Sequence, residues 1–194
     1  MVAFVLGNGT SRKNIPLDPL KQYGKIYACN AVYRTFSPDY LIAVDAKMVF
    51  EICKSGYQQN NEVWTNPNQA YSKLVKLNYF HPNRGWSSGP TALNMATEHE
   101  HQQIYMLGFD FAGTSNDRIN NIFADSANYK KSTDKATYYG NWLRQCGLIV
   151  QKNYKKRYIR VIEDENSFIP EPLARYGNLE HITVKEFKNS FNLP

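Results

Sequence analysis

Three cysteines, Cys29, Cys53 and Cys146, are all this chain of 194 residues contains, and no two share a C-x-x-C spacing. That count excludes a disulfide framework and a cysteine-based metal cluster, and the residues read as reduced, buried thiols. Histidine is nearly as scarce: His81, His99, His101 and His181, with no HExxH and no Cys/His cluster, so neither a metal site nor a cofactor is expected. His99 and His101 lie two apart on an expected helix and would point in different directions. No apolar run approaches the about 18 residues that suggest a membrane span. The opening stretch Met1–Leu6 is too short for a secretory signal, and with the reduced thiols this places the expected location in the cytoplasm. Internal repeats, low-complexity segments and the serine-hydrolase pattern G-x-S-x-G are also missing.

Aromatic residues, by contrast, are plentiful: 14 tyrosines, 10 phenylalanines and 3 tryptophans, so many rings should sit half-buried. The formal net charge is +6, and Lys152, Lys155, Lys156, Arg157 and Arg160 fall within nine residues. Without a recognition motif beside it this run reads as a solvated edge, and nucleic acid is not expected as a partner.

Short apolar runs alternate with helical patterns. Strands are expected at Val2–Leu6, Lys25–Ala28, Tyr40–Val44, Glu62–Thr65, Gln103–Leu107, Tyr158–Ile162 and Ile182–Val184. Helices are expected at Ala46–Ser55, with Met48, Val49 and Ile52 inward and Gly56 as its stop. Others are expected from Pro90 to Glu100, from Lys135 to Gln145 and from Glu186 to Phe191. Residues 116–131 read as a mobile polar excursion. The alternation predicts a single α/β domain with a Rossmann-like, mostly parallel sheet and helices on both faces. Ligands of such sheets lie beyond the carboxyl ends of the strands. That rule selects Gly7–Ser11, Cys29-Asn30, Asp45, Ser87–Gly89 and Gly108–Phe111.

Each of these has a chemical reading and a plainer one. Gly7-Asn8-Gly9 directly after the first strand can bring backbone N–H groups to a phosphate, with Ser11 adding a hydroxyl. It can equally be a tight turn, since the third glycine of a dinucleotide fingerprint and the Gly-Lys-Ser/Thr of a P-loop are both missing. Ser88-Gly89-Pro90 opens a helix whose free N–H groups suit an anion, or merely caps it. Asp45 and Asp110 end strands, where each can accept from sugar hydroxyls or cap the chain that follows.

Taken in order, these segments resemble the bacterial lipooligosaccharide sialyltransferases of the Campylobacter type over roughly the first 111 residues. Phe4–Ser11 looks like their GNGPS start, Cys29–Tyr33 like C-N-x-x-Y, and Ser88-Gly89 through Ile104–Phe111 like S-G…I-Y-L-x-G-I-D-F. The 6-hydroxymethylpterin pyrophosphokinase-like proteins share the turn, the Pro38-Asp39 to Asp45 segment and the later G-x-D. The first resemblance implies that Gly7, Asn8, Gly9, Ser11, Asn30, Ser88 and Gly89 bind a nucleotide sugar, a CMP-sugar foremost. An inverting, metal-independent transfer to a glycan or other hydroxyl acceptor would follow. Asp110, Arg118 and Tyr129 then stand in the catalytic half, where the family carries a histidine base and two phosphate-steadying tyrosines. Here Ala112 and Arg118 take the tyrosine places, and Asn128–Lys131 precede Ser132-Thr133-Asp134 with no histidine. The second resemblance implies an ATP- and magnesium-dependent enzyme with Asp45 and Asp110 arranging the metal. The departures imply a third possibility, a nucleotide-binding accessory protein without catalysis.

Overall fold

Val2–Leu6 has no polar side chain to offer solvent, and a run of that kind is stable only where both faces are covered. In the computed structural model, which describes residues 1–194, it is β1 at the middle of an eight-stranded sheet. The other strands are β2 (Gly24–Cys29), β3 (Tyr40–Ile42), β4 (Val63–Thr65), β5 (Asn78–Tyr79), β6 (Gln103–Leu107), β7 (Arg157–Ile162) and β8 (Leu179–Thr183). All neighbours are parallel in the order β5-β4-β3-β2-β1-β6-β7-β8. Val5 lies opposite both Tyr27 of β2 and Met106 of β6. This is an α/β, Rossmann-like architecture.

The period of two along β1 divides the core. Phe4 and Leu6 join one apolar cluster with Met48, Val49 and Ile52 of α1 (Ala46–Ser55) and Phe187 of α5 (Val184–Ser190). Ala3 and Val5 join the other with Leu93 and Met95 of α2 (Ser88–Glu98), Ile149 and Val150 of α3 (Gly140–Lys152), and Leu173 of the short α4 (Glu171–Ala174). Truncating a side chain such as Leu6, which is wholly buried, to alanine costs about 2–5 kcal/mol in cores of this kind. Gly56 closes α1 at φ 76°, a left-handed turn that a side chain would disfavour.

Several elements differ from the pattern expected of them, and β5 and α4 were not expected at all. β3 stops at Ile42. The last strand ends at Thr183, because Thr183 and Glu186 form a reciprocal cap that starts α5 at Val184. The helix expected over Lys135–Gln145 begins only at Gly140 and runs to Lys152. Its expected first turn is engaged elsewhere: Arg118 and Lys135 pair as an antiparallel bridge, and Ala136 N–H donates to Asp117 O at 2.9 Å. Residues 116–131 form no helix, and side-chain and backbone bonds pin them to the sheet end: Thr10 N–H and Oγ1–H to Asn120 Oδ1, Ile122 N–H to Asn8 O.

Candidate functional site

The chain leaves β1 toward β2 on one side and later returns to β6 on the other. The connections after these two strands therefore part and leave a crevice between them. A cavity of about 440 Å³ occupies it, lined by Gly7–Gly9, Cys29-Asn30, Asp45, Ser87–Pro90 and Gly108–Ala112, and closed over by the 119–142 region. Every strand-end segment selected from the sequence thus contributes to one cavity. Ser11 and Arg118 do not line it.

The glycine turn is the first correction. Gly7 N–H donates to Leu107 O at 2.8 Å and Gly9 N–H to Gly108 O at 2.9 Å. Thr10 N–H donates to Asn120 Oδ1 at 2.8 Å and Ser11 N–H to Asp110 Oδ2 at 3.2 Å. Only Asn8 N–H is left without an acceptor in the protein. The glycines answer a packing need instead. A Cβ at Gly7 would stand 2.5 Å from Gly108 O, and one at Gly9 would collide with the Asp110 carboxylate. Ser11 Oγ–H also donates to Asp110, so this hydroxyl braces the turn.

Behind the turn stand two buried guanidiniums. Arg12 donates to Gly7 O, and Arg160 donates to Phe109 O at 2.7 Å and Asp110 O at 2.8 Å. Burial lowers both, Arg160 to about 10, and the Asp110 charge opposes the lowering in each.

The start of α2 is different. Ser88 and Gly89 open the helix, so their N–H groups have no partner within it and both residues line the cavity. Ser88 Oγ accepts from Val44 N–H at 3.0 Å, tying the helix to the end of β3, and Ser87 N–H donates to Gln145 Oε1 at 3.0 Å. Here donors and the positive end of the helix dipole face the cavity together.

Asn30 sits opposite at φ 56°, a backbone conformation that costs a non-glycine residue about 1–3 kcal/mol. Its Oδ1 is buried without a hydrogen-bond partner. Buried acceptors are rarely left so, and this one belongs to a cavity-lining residue. Asp45 occupies the N-cap position of α1, yet its side chain makes no capping bond there. Its carboxylate and that of Asp110 are the only ones in the lining, and Lys130 is the only cation.

Tyr129 is the second correction. Burial pushes its phenol well above the usual tyrosine range, so it is a poor proton acceptor. Its oxygen accepts from Asn8 Nδ2–H at 3.2 Å and Ala31 N–H at 3.4 Å. Both partners are donors, which leaves the phenolic hydrogen unengaged at the cavity. A latch holds this ring in place. Arg34 donates to both oxygens of Glu51 at 2.8 and 2.7 Å, and to Ser126 Oγ and Ala127 O. Asn128 Nδ2–H reaches Glu51 as well, at 2.6 Å.

Arg118 is the third correction: its exposed guanidinium donates to Thr133 O at 2.9 Å, a loop-internal bond. The bridge to Lys135 sets that direction. No histidine lines the cavity, and the Cys29 thiol is pushed up to about 12 by burial, so it is not a nucleophile near neutral pH. Nor do three or more His, Cys, Asp or Glu side chains converge as a metal-binding group anywhere in the chain. No helix is long and apolar enough to cross a membrane.

No protein-family model, curated protein or solved structure matches this chain. The site therefore rests on its own geometry. That geometry also recruits residues the sequence did not single out: Asn120, Asn121, Asn128, Lys130, Thr137, Tyr139 and Trp142. The available signal was the density of asparagines in a loop next to a strand end.

Proposed function

We propose that the cavity binds a nucleotide sugar, a CMP-sugar foremost, and passes its glycosyl group to a hydroxyl acceptor. The observation that carries the reading is the convergence of Asn8, Asn30, Ser88, Gly89 and Asp110 on one cavity of nucleotide-accommodating size. Drug-sized ligands occupy about 300–1,000 Å³. The Ser88 and Gly89 N–H groups, the dipole of α2 and the Lys130 ammonium would hold the phosphate. The acceptor oxygen attacks the anomeric carbon, the bond from that carbon to the phosphate oxygen breaks, and the nucleoside monophosphate leaves with the electron pair. Charge on the leaving phosphate meets the same donors, with the neutral Tyr129 hydroxyl as a further one. The acceptor proton passes to Asp45, because the Asp110 oxygens are already engaged by Ser11.

A magnesium–ATP reaction draws less support, since Asp110 braces a turn and only two carboxylates line the cavity. A binding protein without turnover is favoured by one observation, the absence of any histidine from the lining. The test is a thermal-shift screen of CMP, UDP, GDP and adenine nucleotides with and without magnesium, followed by assay of donor hydrolysis. At ligand 100-fold above Kd, the expected rise is about 5–10 °C with CMP, indifferent to magnesium. No response to any nucleotide, or a response to ATP alone that needs magnesium, overturns the proposal. CMP binding without turnover of any CMP-sugar selects the non-catalytic reading.

A further inference from the structure

Of the nine large hydrophobic side chains this chain exposes, four lie together: Tyr138, Trp142, Phe168 and Ile169. Tyr138 is 77% exposed and Phe168 48%. Tyr139 joins them, stacked on Tyr138 with ring centroids 6.4 Å apart and edge-on to Phe168 at 6.2 Å. The three rings make a row with Tyr138 at one end and Phe168 at the other. Tyr139 and Trp142 also line the cavity, so the row crosses its rim. Exposed apolar residues ordinarily scatter singly, and a contiguous group of them marks a face that something covers.

The charges at the two ends of the row say what covers it. Lys130, Lys131 and Lys135 lie on the chain that leads into Tyr138, and Glu163, Asp164 and Glu165 on the chain that leads into Phe168. All six are exposed, and none forms an ion pair within the chain. Near the lysines, Asp125 and Asp134 accept from the backbone N–H groups of Ser132 and Lys131, and Asp117 is balanced by its neighbour Arg118. The row therefore has a basic end and an acidic end, each unpaired. A face of one sign, such as an anionic lipid surface, would be drawn to one end and repelled by the other. A second copy of the same face, turned by a two-fold axis, supplies the complement at both: row on row, with each basic end against an acidic one. We infer that the Tyr138–Tyr139–Phe168 row is the centre of an isologous homodimer interface. Aromatic side chains concentrate at the centres of such interfaces and carry much of their binding energy. Because Tyr139 belongs to both the row and the cavity lining, the second copy lies across the mouth and walls each cavity on that side.

The test is sedimentation velocity over a concentration series without nucleotide, so its outcome is independent of the proposed transfer. The parent is expected to pass from monomer to dimer and no further. Tyr138→Ala and Phe168→Ala, both at exposed positions outside the cavity lining, should each weaken the dimer at least tenfold with circular dichroism unchanged. The charged ends supply the decisive arm. Lys131→Glu combined with Lys135→Glu sets acid against acid at both ends of the row. Glu163→Lys combined with Glu165→Lys sets base against base, so each of these two variants should be monomeric on its own. Mixed in equal amounts they should form a heterodimer, and all four substitutions in one chain should restore the homodimer, because opposite charges then face each other again. The interface is overturned if the parent stays monomeric, if any of the four variants associates as tightly as the parent, or if the mixture does not pair. A monomeric parent whose Trp142 fluorescence responds to phosphatidylglycerol vesicles overturns it in favour of a lipid surface.

Discussion

Two turns at the end of the sheet look interchangeable in sequence, a small-residue loop followed by a helical start, yet they serve opposite purposes. The Gly7–Ser11 turn has every N–H group but that of Asn8, and both its hydroxyls, engaged by β6 and the loop after it. The Ser87–Gly89 turn leaves the N–H groups of Ser88 and Gly89 facing the cavity. Glycine is required at the first because the protein's own backbone comes close. At the second, a Cβ on Gly89 would meet nothing nearer than Phe109 at 3.5 Å. A glycine-rich turn after a strand is thus evidence of close approach, and the approaching group can be the chain itself.

The largest effect that would test this contrast is on stability. Gly9→Ala is expected to destabilise by about 2–3 kcal/mol, as overpacking does, read as a fall in Tm in the absence of ligand. If Gly9→Ala folds as well as the parent, the turn is not the brace described. Next, Arg34→Ala should cost about 1–2 kcal/mol in denaturant unfolding, because Glu51 is half-buried and loses a two-point partner. Arg34→Lys should recover only part, since an ammonium cannot reproduce the fork. In both variants nucleotide affinity should fall further than stability accounts for, as the segment leading to Tyr129 is released.

Tyr129→Phe isolates the open side. Losing one donor to a charged oxygen is worth about 1.5–3 kcal/mol, or roughly tenfold or more in nucleotide Kd by calorimetry. In the parent this contribution should not change between pH 6 and 9, because burial raises the phenol pKa and the proton stays on. A loss of affinity across that window, absent from Tyr129→Phe, would show the phenol ionising and undo the assignment. Smallest of all, Gly89→Ala should leave the unfolding free energy within about 0.5 kcal/mol of the parent, as expected for a surface-like change without a clash. A large loss there would mean the two turns are alike after all.

How much of this could be read beforehand follows from the range of the forces involved. β1, β6 and α1 are set by local periodicity, and Gly56 by a backbone requirement, so their residues announce them. The strand-end rule placed Asn30, Asp45, Ser88 and Asp110 at one cavity because topology alone decides where strand ends meet. What stayed hidden depends on partners distant in sequence. Asp110 lies about a hundred residues from Ser11, and Glu51 lies 77 residues from Asn128. Nothing near Arg118 signals that Lys135 will draw it away from the cavity. The helix expected from Lys135 begins five residues later, at Gly140, which puts Trp142 in its first turn at the cavity rim.

Arg12 and Arg160 carry a consequence for how the site meets a ligand. Two guanidinium charges lie behind the back wall of the cavity, near a single carboxylate, Asp110. The back wall alone therefore holds a surplus of one positive charge, fixed in place before anything binds, and the Asp45 carboxylate in the cavity lining offsets it. Arg160, even lowered to about 10, stays ionised at neutral pH. Because these charges are out of water, dissolved salt screens them less than it screens surface lysines. The pull that the two guanidiniums exert on an anion is thus a property of the scaffold: raising ionic strength should weaken what Lys130 contributes more than what they contribute.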